Sequence, residues 1–157
     1  MPETTFQRMA FEGIKAALLE NASYNTLVGG RIYPDVVPKG LTPAQAYPCG
    51  VLAYGGISQA ACGAQYSSTI AIINNDRIGV WLTISHRAIG TGEHLNKLDE
   101  IAAEADKTLH KMIERAVTGG KILACVFRNV IEYSAPNEAG VQMFFNGAFY
   151  EVLVQKT

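Results

Sequence analysis

Phe6, Met9, Ala10, Gly13, Ile14, Ala17 and Leu18 recur at three- and four-residue steps, and Gln7, Arg8, Glu12 and Lys15 fall between them. That spacing predicts an amphipathic helix with one side turned to a core. Thr4 with Gln7 three residues later forms a capping-box pattern at its start. Asn21 and Ser23 break the stripe, and residues 25–28 add a short turn that Gly29 and Gly30 end. A second stripe is longer. Leu95, Leu98, Ile101, Ala102, Ala105, Leu109, Met112, Ile113 and Ala116 align along one side, with Lys97, Glu100, Glu104, Lys107, Lys111 and Glu114 mostly away from it. Thr91 suits the N-cap, and Gly119 with Gly120 the stop. The pattern predicts a helix of about 25 residues, roughly 37 Å long.

Between and after these stripes the period falls to two. Ile78, Val80, Leu82 and Ile84 share one face of a strand over residues 76–86, and Arg77, Gly79, Trp81, Thr83 and Ser85 share the other. Residues 48–58 read as a strand that Gly55 and Gly56 bend or bulge. Residues 31–38 are extended, but Pro34 and Pro38 confine them to an edge or a loop. Residues 39–47 read as loop, and 59–75 as a long excursion whose residues 70–73 join the next strand. Segments 122–134 and 141–155 flank the turn residues Pro136, Asn137 and Gly140, which predicts an antiparallel hairpin. Asn146-Gly147 allows a tight turn or a bulge; the bulge is favoured, because Tyr150, Val152 and Val154 then continue one strand.

The order is helix, strands, long helix, strands. Only one helix separates the strand groups, too few crossovers for a parallel sheet. The expected fold is α+β: an antiparallel or mixed β-sheet with the N-terminal helix and the long helix packed on one face. With 157 residues the chain makes a single domain spanning residues 1–157.

Composition adds a hint of assembly. Charged residues make up only 17% and apolar residues 48%, against about a quarter charged in an ordinary soluble domain. Some apolar surface is therefore expected to lie against other copies or partners. The net charge of −1 comes with no Lys/Arg cluster dense enough to grip phosphates; a protein that surrounds DNA without holding it is compatible with this balance. Cys49, Cys62 and Cys125 are scattered, which predicts reduced thiols packed as small hydrophobes. The charged N-terminal helix does not read as a signal peptide, and no apolar run approaches the roughly 18 residues of a membrane span. A soluble chain made in the cytoplasm, with no membrane contact, is expected.

Chemical motifs are weak. Ser85, His86 and Arg87 juxtapose a hydroxyl and an imidazole, but strand neighbours point to opposite faces. His86, His94 and His110, with the cysteines, lack any metal-ligand spacing. Gly90-Thr91-Gly92 sits where phosphate loops sit, yet Leu95 replaces the third glycine of a dinucleotide fingerprint. Asp99, Glu100, Glu104 and Asp106 read as solvated helix charge, and Glu132 and Glu138 have no evident acid partner. No enzyme activity, cofactor or metal is expected. Trp81, Phe127, Phe144, Phe145 and Phe149 put aromatics on both sheet faces, and Trp81 with Leu123 or Val126 makes the face away from the helices too apolar for water. A subunit interface is the favoured cover for it, ahead of core packing or a ligand pocket.

The run Leu27, Val28, Gly29, Gly30, Arg31, Ile32, Tyr33, Pro34, a proline-containing loop, then Tyr47, Pro48 and Val51, Leu52, Ala53, Tyr54, Gly55, Gly56, Ile57, Ser58 resembles the phage tail terminator, or tail-completion, family of phages and gene transfer agents. The order of elements is similar along nearly the whole chain. The Tyr47-Pro48 order reverses the family's usual Pro-Tyr, and the 59–75 loop is more elaborate. The resemblance implies a structural virion protein: a homohexameric ring that caps the tail tube, ends its polymerisation, joins it to a head-side connector and lets DNA pass without specific binding. A head-closure or neck protein is the nearest alternative, and a small nucleotide- or ligand-binding domain using residues 90–92 a more distant one. Loops 35–47 and 59–75 are the expected partner contacts, with Gln65, Tyr66 and Trp81 as the named interface residues.

Overall fold

The computed structural model describes residues 5–58, 77–89, 92–136 and 140–157. The first stripe becomes α1 (Phe6–Glu20), which buries Met9, Ala10, Gly13, Ile14, Ala17 and Leu18. Its cap is Thr5, whose hydroxyl accepts the Arg8 amide, one residue later than the Thr4 pattern suggests. Asn21 ends α1 and also starts α2 (Ala22–Val28), its side-chain oxygen accepting the Tyr24 amide. The Asn21 amide reaches Thr108 Oγ1 at 2.7 Å and Glu104 Oε2 at 3.0 Å, pinning the α1–α2 corner to the second long helix.

Strand β1 (Ile32–Pro34) runs parallel to β2 (Cys49–Ser58) and forms one margin of the sheet, the edge position its proline requires. Between them lies α3 (Pro43–Ala46), where the sequence reads as loop. Thr42 and Gln45 exchange hydrogen bonds in a capping box, with Pro43 in the first turn. Strand β3 (Arg77–Ile89), helix α4 (Gly92–His110), and strands β4 (Ile113–Val117), β5 (Gly120–Pro136) and β6 (Gln142–Lys156) complete the chain. The sheet order is β1-β2-β3-β6-β5-β4, with every neighbouring pair antiparallel except β1–β2. This is the expected α+β build with a mixed sheet.

The long helix is shorter than the stripe predicts. It stops at His110, about 28 Å from its start, and residues 113–117 fold back as β4 along the start of β5. Ile113 and Ala116 keep helical spacing by coincidence. The Thr118-Gly119 turn instead lets Val117 meet Gly120 across a hairpin, and Ile113 is left exposed. The buried stripe of α4 accordingly contains Leu98, Ile101, Ala105 and Leu109, with Met112 just beyond the helix.

The expected bulge in β2 lies between Tyr54 and Gly56. The Asn146-Gly147 step is neither a turn nor a bulge. Both residues pair in regular register with β3 and β5, and the irregularities sit in β5, between Ile122 and Ala124 and between Phe127 and Asn129. Gly147 is needed for proximity: a Cβ there would fall 1.8 Å from the Ile84 carbonyl oxygen. The core lies between the helices and one sheet face, with Val80, Leu82, Ile84, Ala148, Tyr150, Val152 and Val154 meeting Ile14, Leu18, Leu98, Ile101 and Leu109.

Candidate functional site

Register fixes what the other sheet face carries. Reading across β3, β6 and β5, the rows are Gly79–Leu153–Ala124, Trp81–Glu151–Val126, Thr83–Phe149–Asn129, Ser85–Gly147–Ile131, Arg87–Phe145–Tyr133 and Ile89–Met143–Ala135. Leaving Tyr133 aside, none of these side chains joins the main core, and among the described residues no helix covers this face from β3 to β5. Phe149 is 37% exposed; Trp81, Val126, Phe145 and Leu153 are half-buried. Only one corner has a cover of its own, where Ala46, Cys49 and Val51 are buried beside α3.

At the middle of this face stands a charge that composition does not reveal. Glu151 is 4% exposed, although it points away from the core. Arg128 Nη2 meets its Oε1 at 2.6 Å, and the guanidinium lies 5.9 Å from the Trp81 ring centre. Arg128 reaches both because it is the extra residue of the β5 bulge between Phe127 and Asn129. A second cation, Arg87, lies 5.3 Å from the Phe145 ring centre. The face therefore mixes aromatic and aliphatic side chains with Thr83, Ser85, Asn129 and the buried Glu151, and its two arginines lie against rings.

Trp81 thus sits where alternation places it, and its row runs through Glu151 to Val126 rather than to Leu123, which falls at a bulge. Gln65 and Tyr66 lie outside the described residues, as do Cys62 and the Gly90-Thr91 step. Ser85 and His86 do point to opposite faces. His86 is buried in the core, its Nε2 2.9 Å from the Tyr24 hydroxyl. Gly50 makes room for that hydroxyl, which would lie 2.7 Å from any Cβ there. Burial pushes His86 down to about 4, opposed by the Asn146 main chain, and burial raises Tyr24 well above the ordinary phenol range. This pair is a structural polar contact between α2 and β3.

The helix acids do more than meet solvent. Asp99 accepts the Asn146 amide at 2.7 Å and Asp106 the Tyr150 hydroxyl at 3.1 Å, tethering α4 to β6. Burial pushes Cys49 up to about 11 and Cys125 to about 12, which favours the neutral thiol at both. Among the described residues no group of three His, Cys, Asp or Glu side chains could hold a metal ion, and no helix is long and apolar enough to cross a membrane.

The two stretches that carry the family resemblance are neighbours in space. Ile32, Tyr33 and Pro34 pair with Gly50, Val51 and Leu52, and Arg31 Nε donates to the Pro48 carbonyl at 2.9 Å. The arginine therefore braces the β1–β2 margin, and Gly29 ends α2 in the left-handed conformation just before it.

These features define a two-layer α+β protein with one helix-covered and one open sheet face. No protein-family model matches the chain, and no curated protein matches it. Among solved structures, a chain in "Virion of native gene transfer agent (GTA) particle" is similar in fold, with a TM-score of 0.54 at 16% identity. The match covers 92% of this chain and 96% of that one.

Proposed function

We propose that this chain is a structural virion protein whose copies form a ring, hexameric as the family resemblance implies, at the end of a phage-type tail tube. The observation that carries the reading is the fold likeness to a gene transfer agent virion component over nearly the full length of both chains. The residues of the 27–34 and 48–58 stretches add the tail-terminator assignment, and the open aromatic face supplies a surface that an assembly would cover. In this reading the ring stops tube polymerisation and presents its far side to the head-side connector. DNA passes through without specific binding, in keeping with a net charge of −1. Function resides in interfaces, and no catalysis is involved.

Electron microscopy of the purified chain and of tails labelled for it tests this directly. The expected result is a ring of six chains of 16.9 kDa, about 101 kDa in all, located at the head-proximal end of the tube. A ring of another symmetry, or label that stays on tailless heads, overturns it.

A further inference from the structure

Beyond the open face, most of the exposed large apolar side chains among the described residues lie toward the two margins of the sheet, with Ile113 of β4 among them and Val141 before β6 as the exception. On the β1 side, Val36 is 67% and Leu41 41% exposed; on the β5 side, Phe127 is 45% and Val130 55% exposed. The β5 side is also concave. A groove of about 250 Å³ runs between α4 and β5–β6, and Ala102, Ala105, Phe127, Val130 and Ala148 give it an apolar wall. β4 pairs with β5 only as far as Ala124, so among the described residues β5 is paired from Cys125 to Pro136 by β6 alone and has no strand on its outer side.

Charge distinguishes the two margins. Asp106 lines the groove, and Asp99 and Glu132 line the adjoining hollow, so the rim carries carboxylates. The β1 side instead offers a largely exposed segment, the 36–41 tip, in which Lys39 and Gly40 are exposed between the two apolar side chains, with Asp35 exposed just before it. Among the described residues Lys39 is in no ion pair. One margin is a knob with a lysine, and the other is an acid-rimmed groove.

We infer that the 36–41 tip of one copy seats in the α4–β5 groove of the next, with Val36 and Leu41 against Phe127 and Val130 and Lys39 against the acidic rim. This rests on the ring reading and names its subunit contact. Knob and groove lie on opposite margins of one sheet, so the contact is head-to-tail, the kind that closes rings. Pro38 removes an amide donor from the tip and Pro34 one from the end of β1, so side-chain packing and charge hold the contact rather than a long strand ladder.

A charge swap tests it. Lys39→Glu should abolish the ring without moving Tm, Glu132→Lys should weaken it, and the double variant should restore it. In a Val36→Cys/Val130→Cys chain, oxidation should give a ladder of covalent oligomers that neither single variant gives. If wild-type rings form and Lys39→Glu rings are equally abundant, with no ladder from the double-cysteine chain, the contact is overturned and the ring reading stands. Rings that survive Lys39→Glu but no longer join the tail would make the tip a contact for another virion protein, which also overturns it. Wild-type chain that forms no ring on tails removes the ring reading itself.

Discussion

Trp81 and Leu82 are adjacent in β3, yet they occupy different worlds. Leu82 is fully buried under α1 and α4, whereas Trp81 is half-buried on a face whose cover is an arginine and a carboxylate. On the helix side, large aliphatic side chains exclude water from both layers. On the open side, away from the α3 corner, the apolar groups have their strand neighbours, and only Trp81 and Phe145 have an arginine over the ring. The first face contributes to folding through burial that is complete within one chain. The second holds apolar area in reserve, which burial against another surface would convert into association free energy at about 25 cal/mol per Å² before the costs of association.

The sharpest way to break this contrast is to truncate one residue from each face. Leu82→Ala should destabilise the fold by about 2–5 kcal/mol, since its cavity would be enclosed on every side; urea denaturation measures it. Acid should discriminate next. His86 sits on the covered face at about 4, below its ordinary value near 6.5, so the unfolded chain takes up a proton that the native chain refuses. Its contribution is intact above pH 6.5 and declines as pH falls toward 4, with about 2 kcal/mol lost by pH 5. His86→Gln should flatten that part of the stability–pH curve; an unchanged slope would place the titration elsewhere. On the open face, Arg128→Ala strips the partner from buried Glu151. A loss of roughly 1–2 kcal/mol is expected, below that of a fully buried pair because Arg128 is half exposed. Smallest of all for stability is Trp81→Ala, at about 1 kcal/mol or less, but ring formation or tail joining should suffer. A Trp81→Ala chain that assembles normally would remove the open face from the assembly surface.

Much of this architecture was legible in the chain because periodicity reports burial. The α1 stripe, the β3 alternation and the antiparallel β5–β6 hairpin all follow from which residues avoid water. Periodicity failed where a second signal outweighed it. Ile113 and Ala116 match the helical repeat, and only the hairpin turn after Val117 diverts them into β4. The bulge assigned to Gly147 belongs to β5, because the glycine answers a close backbone approach that no local pattern shows. The Thr42–Gln45 box was present in the sequence, but one helical turn lacks the length to show a stripe. For the candidate site, alternation places Trp81 correctly. Glu151 and Arg128 were invisible, since 23 positions separate them and only the β5 bulge brings the guanidinium over the ring. Tyr24 and His86, 62 positions apart, meet only through the packing of α2 on the sheet.

The position of β6 has a consequence for how the molecule comes into being. It is the last strand in sequence, yet it lies between β3 and β5 in the sheet. Until it inserts, the β1–β2–β3 half and the β4–β5 hairpin have no shared ladder, and neither the open face nor the α4–β5 groove exists as a continuous surface. Pairing of such remote segments is a slow, late event in folding. A chain whose β6 has not yet inserted therefore has neither surface complete. Any contact that uses either surface would have to follow β6 insertion, so the strand order places folding ahead of association.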